Sequence, residues 1–133
     1  MQLKDLVVDT KTVEVAFDGH EDFKVELAYV SRTEMSKLVK DCQRSKMNRS
    51  TRQIEMELDQ DKFLKTFVER VIVGWKGLTV EILAEFVPVD VPEGGEDKEI
   101  EFSTQNAIFL VKESQMFDDW VNEKVNDIDT FRK

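Results

Sequence analysis

From Thr12 to Phe17 the chain alternates, with Val13, Val15 and Phe17 on one side and Glu14 and Ala16 on the other. Phe23 to Val30 repeats the pattern, setting Phe23, Val25, Leu27 and Tyr29 against Lys24 and Glu26. A period of two over such lengths predicts strands with one buried face. The turn-forming run from Asp18 to Asp22 between them predicts an antiparallel hairpin. A hairpin alone is marginal in water and needs a third strand or a covering helix. From Arg52 to Leu58, Ile54, Met56 and Leu58 alternate with charged residues. Helix propensity favours Glu, Met and Leu there, but the alternation prevails and predicts a third strand.

Elsewhere the apolar spacing is helical. Ser31 or Thr33 is placed to cap a helix running to about Ser45, with Met35, Leu38, Val39 and Cys42 on one stripe. The run from Lys46 to Ser50 is a polar break. Asp59 suits the N-cap of the most amphipathic helix, and Asp61 in its first turn complements the dipole. Wound at about 100° per residue, Phe63, Leu64, Phe67, Val68, Val71, Ile72 and Trp75 share half of its surface, and Lys62, Lys65, Glu69 and Arg70 lie elsewhere. Such a face must be buried. Gly74 and Gly77 are expected to end this helix, and Thr79 to cap a short one from Val80 to Phe86 that stops before Pro88.

Pro88 through Lys98, with Pro92, Gly94 and Gly95, is an exposed loop, followed by a brief extended segment at Ile100 to Phe102. Ser103 or Thr104 starts a helix whose centre, Ala107 to Val111, is apolar on every side and is expected deep in the core. Ser114 caps the last helix, where Phe117, Trp120, Val121, Val125, Ile128 and Phe131 fall in an arc of about 140°. The expected fold is α+β, a single domain over residues 1–133. An N-terminal antiparallel hairpin, extended to three strands, packs with four to five α-helices, and the C-terminal half is predominantly helical.

Composition adds exclusions. With 28 acidic residues against 19 basic, the net charge is −9, which argues against nucleic acid and against anionic lipid. The charge is polarised. Arg32 to Arg52 holds seven basic residues against Glu34 and Asp41, a balance of +5, whereas six basic and fourteen acidic residues from Lys76 onward leave −8. Such asymmetry allows self-association or an acidic partner for the basic segment. Cys42 is the only cysteine, so it forms no internal disulfide and is expected buried and inert. The N-terminus has no signal-peptide pattern, and no apolar run approaches the roughly 20 residues of a membrane span.

No catalytic set emerges. His20, the only histidine, falls in a turn among acids and is expected exposed, without a serine or cysteine partner. Asp90 to Glu101 has the length of a calcium loop, but Pro92 and Gly94 stand where ligands are required. Gly74 and Gly77 lack the rest of a phosphate-binding loop. Asp118, Asp119, Asp127 and Asp129 read as a wet helix face. The expectation is a non-enzyme without cofactor or metal.

One resemblance is carried by ordered segments. These are Leu58-Asp59-Gln60-Asp61-Lys62-Phe63, Val73-Gly74-Trp75-Lys76-Gly77-Leu78-Thr79, Ile100-Glu101-Phe102-Ser103-Thr104-Gln105-Asn106-Ala107, Phe117-Asp118-Asp119-Trp120-Val121 and a final Phe131. Together they resemble the tail assembly chaperones of long-tailed bacteriophages, over slightly more than half of the chain. The resemblance implies a protein that binds the tape measure protein, recruits the tail tube protein, works in the host cytoplasm and is absent from the finished particle. Trp75, Leu78, Phe117 and Trp120 are then candidates for the core or for a partner groove. A structural tail completion or connector component, or an acidic adaptor or inhibitor of a host protein, are the competing readings.

Overall fold

The computed structural model describes residues 2–8, 11–91 and 93–132; Pro92, expected in the exposed loop, lies outside them. The alternating N-terminal runs form β1 (Thr12–Phe17) and β2 (His20–Ala28), an antiparallel hairpin closed by Asp18 and Gly19 with a register shift at Ala16/Phe17. β2 presents Phe23, Val25 and Leu27 fully buried, as its period requires.

A three-stranded sheet does form, with β2 at its centre, but its third strand is not residues 53–58. It is Ile72–Lys76 (β5), antiparallel to β2 with Val25 opposite Trp75. The helix expected to reach Trp75 ends earlier: α2 is Gln60–Val71, and Ile72 leaves it at ψ 105°. Val71, Ile72 and Val73 are β-branched, so the helical stripe and an extended run are both compatible with them. An open edge on β2 decides for the strand. Residues 53–58 are indeed extended (β4, Gln53–Leu58), but they pair with Gln43–Asn48 (β3) in a separate two-stranded sheet. Helix α1 (Arg32–Asp41) therefore stops before Ser45, at a buried Cys42.

The remaining helices are α3 (Val80–Leu83), α4 (Thr104–Glu113) and α5 (Gln115–Val125), with a 3-10 turn at Ile128–Phe131. Capping follows the expectation. Side-chain oxygens of Ser31, Asp59, Thr79, Ser103 and Ser114 accept from the N–H groups of Glu34, Lys62, Ile82, Asn106 and Phe117. The core gathers Phe17, Phe23, Phe117 and Trp120 from the sheet and α5, with ring centroids 4.9–6.4 Å apart. Phe67, Val68 and Val71 of α2 and Ala107, Leu110 and Val111 of α4 complete it. Phe109 departs from the expectation of an all-apolar buried centre, being 58% exposed. At 100° per residue it points away from Ala107, Leu110 and Val111, which share one side.

Candidate partner-binding surface

Among the described residues, two apolar surfaces beyond the exposed N-terminal run are built by different parts of the chain. The first is the β3–β4 hairpin. Its register sets Met47 opposite Ile54 and Ser45 opposite Met56. Alternation then puts Gln43, Ser45, Met47, Ile54, Met56 and Leu58 on one face, and Arg44, Lys46, Asn48, Gln53, Glu55 and Glu57 on the other. The polar face is internally paired. Arg44 and Lys46 each lie 3.8 Å from Glu57, and the Asn48 amide donates to Glu55 at 3.0 Å. The apolar face is bare, with Met47, Ile54 and Met56 at 63%, 71% and 63% exposure. No residue from 43 to 58 is buried.

The arm is tied to the body at its root. Asp59 N–H donates to the Cys42 carbonyl at 2.8 Å, and Lys62 Nζ to the Asp41 carbonyl at 3.1 Å. At the tip, Asn48 Oδ1 accepts from Ser50 N–H and Arg52 N–H closes on the Asn48 carbonyl. Arg52 sits at φ 58°, where a glycine or asparagine would be at ease. A charged side chain is thus held at the tip against backbone preference.

The second surface is a cleft of about 190 Å³ lined by Trp75, Leu78, Leu83, Ile100, Asn106, Phe109 and Leu110. Its floor explains the Gly-Trp-Lys-Gly run. Gly77 turns at φ 79° so tightly over β2 that a Cβ there would lie 1.8 Å from the Asp22 carbonyl oxygen. The Gly77 N–H donates to Glu99 Oε1 at 2.7 Å, the Trp75 indole N–H to the Ile100 carbonyl at 2.9 Å, and the Ile100 N–H to the Leu78 carbonyl at 2.7 Å. The segment returning from the Pro88–Lys98 loop is thereby laced to β5. Leu83 and Ile100 both come from residues 81–101, where eight acids stand against Lys98 alone.

The four residues named from sequence divide between core and surface. Leu78, Phe117 and Trp120 are 1%, 0% and 4% exposed, and Phe117 and Trp120 lie in one aromatic cluster away from the cleft wall. Leu78 lies beneath the cleft, and Trp75 is half-buried beside it. Trp120 Nε1 is buried with no hydrogen-bond partner among the described residues. Sequence reading missed Met47, Ile54, Met56 and Phe109 as surface groups. The period-two pattern of 52–58 marked one face as apolar. It could not say that nothing packs on that face.

The titratable groups are placed for structure. Arg70 grips Glu34 through two contacts of 2.6 and 2.7 Å and also donates to the Tyr29 carbonyl. The bonds from Arg70 hold the Glu34 carboxyl below the usual glutamate range, against a smaller opposing effect of burial. Asp118 is pushed the other way, first by burial and then by the charge of Asp119, while the Asn122 amide opposes both. His20 corrects the expectation of an exposed turn residue. It opens β2, half-buried, with Nε2 2.6 Å from Glu85 and its ring stacked on Phe17. Among the described residues no three His, Cys, Asp or Glu side chains gather as metal ligands would. No helix there is long and apolar enough to cross a membrane.

A family model described as YdaY prophage protein matches residues 28–133. The chain belongs to the YdaY prophage protein family. The match takes in the hairpin arm, the cleft and every α-helix of this YdaY family member, leaving out β1 and most of β2. A phage origin is thereby established. Among curated proteins and among solved structures, nothing matches the chain.

Proposed function

We propose that this prophage protein works by binding another polypeptide, with no bond made or broken, as a tail assembly chaperone. It would hold the tape measure protein soluble and extended in the host cytoplasm and assist assembly of the tail tube around it, without remaining in the finished particle. The observation that supports this reading best is the bare face of Met47, Ile54 and Met56 on an arm that contributes nothing to the core. An exposed apolar strip rimmed by charge suits the apolar stripe of an amphipathic helix, and tape measure proteins of long-tailed phages are largely helical. The ordered motifs from Leu58 to Phe131 support it as well, and the prophage family supports its phage setting.

Co-expression with the tape measure protein of the same prophage is the test. A rise in soluble tape measure and its co-purification are expected. Unchanged solubility with no co-purification sinks the proposal. Mass spectrometry of purified particles separates it from the competing structural reading, because a completion or connector component is retained at fixed copy number.

A further inference from the structure

We propose that the groove between α2 and α5 receives a lysine or arginine side chain presented by a helix of a partner polypeptide. This site is on the body of the protein rather than on the arm that supports the chaperone reading. Asp61, Phe63, Leu64 and Phe67 of α2 line one wall, and Asp118 and Asn122 of α5 line the other. Val111 of α4, 3% exposed, closes the floor. Phe63 and Leu64 are half-buried, and the Phe63 and Phe67 rings stack at 5.9 Å. A cavity of about 150 Å³ takes a benzene-sized group. The groove, at about 230 Å³, therefore admits one long side chain and leaves its backbone outside, over the helical walls.

The groove's own carboxylates select the occupant. Among the described residues no lysine or arginine pairs with Asp61 or Asp118. The Asp118 carboxylate accepts only from the Asn122 amide, at 2.8 Å on Oδ1. Asp118 stands in the first turn of α5, where the helix dipole favours a carboxylate. Burial and the charge of Asp119 nevertheless hold its carboxyl above the usual aspartate range. Asp61 faces the same groove from α2, and α4 lines it only with the apolar Val111. An acidic occupant would meet like charge on both walls. A wholly apolar one would seal Asp118 from water without a partner. A lysine or arginine does neither. Its stem lies along Phe63, Leu64 and Phe67, its head reaches the carboxylates, and the aromatic rings attract the cation further. Helical walls suit a helix as the carrier of that side chain.

The test is a nuclear magnetic resonance titration of the purified protein with an alanine-rich helical peptide of about 20 residues carrying leucine and arginine four positions apart. A twin peptide carries citrulline, the uncharged isostere, in place of arginine. Amides of Asp61 to Phe67 and of Asp118 to Asn122 are expected to shift and saturate with the arginine peptide. The citrulline twin, and Asp118→Asn with the arginine peptide, are each expected to bind roughly tenfold or more weakly. Far-ultraviolet circular dichroism checks that the variant folds. The apparent pKa of the Asp118 carboxyl should fall when the arginine peptide binds and stay put with the twin, because only a nearby cation favours the ionised form. An arm variant with Met47→Thr, Ile54→Thr and Met56→Thr should bind the arginine peptide as wild type does, which separates this site from the arm. No saturable shift overturns the proposal. Equal binding of the twin, undiminished binding by Asp118→Asn, or shifts confined to the arm overturn it as well.

Discussion

At position 77 an added methyl group has nowhere to go. Its carbon would lie 1.8 Å from the Asp22 carbonyl oxygen and 2.7 Å from the carbonyl carbon, both backbone atoms of the strand beneath, and φ is 79°. Neither steric clash nor conformation can be relieved without moving β2. Gly74, three residues earlier, has no positive φ, and a Cβ there meets only Glu26 Oε2 at an ordinary 3.7 Å. The two glycines look alike in the sequence and differ in necessity. Gly77→Ala is expected to destabilise by more than about 3 kcal/mol. Gly74→Ala should shift stability by less than about 1 kcal/mol, toward greater stability, through the entropy of the unfolded chain. Urea denaturation of both variants checks this, and equal effects would contradict the close approach seen at Gly77.

Between elements, the Glu34–Arg70 pair fastens α1 to α2 and to the end of β2. Bonding from Arg70 lowers the Glu34 pKa in the folded state. A lowered carboxylate contributes stability above the unfolded glutamate range and loses it as pH falls through the folded value. Glu34→Gln is expected to cost about 1 kcal/mol at neutral pH, modest because both side chains are partly exposed. The difference from wild type should close in acid, once the pH has fallen below the lowered folded value. Urea midpoints at the two pH values measure it, and a gap that persists in acid would assign the loss to packing.

The same scale shows what was legible in the sequence. Caps, hairpin and the buried face of β2 were readable, because each depends on residues near one another in the chain. The end of α2 was not. Val71, Ile72 and Val73 satisfy a helical stripe and a strand equally, and the choice rests on an edge of β2 more than forty residues earlier. The assignment of residues 53–58 to strand was correct, but their partner was missed because Gln43 to Asn48 is too polar to show a strand period. Of the surface groups, the four candidates Trp75, Leu78, Phe117 and Trp120 belong to the motifs that carry the resemblance, and large apolar residues mark the core as readily as a partner site. Phe109 was passed over because an apolar run hides which member faces out.

The whole molecule divides into a sheet-and-helix body that holds the core and an arm that contributes nothing to it. Every residue of the core cluster lies outside 43–58, and the arm meets the body chiefly at its root, through Cys42, Asp59 and Lys62. Two isolated strands bury too little surface to be stable alone, so the arm opens at a small fraction of the global unfolding free energy. Amide hydrogen exchange makes this visible. Amides of β3 and β4 are expected to exchange orders of magnitude faster than those of β2 and α2, whose openings approach global unfolding. Occupation of the apolar face adds contacts that only the paired strands can make. Protection of Ser45 to Asn48 and Gln53 to Met56 should therefore rise with added partner. Arm amides protected to the global limit in the dilute protein would contradict this division, because the arm would then have to draw on the core.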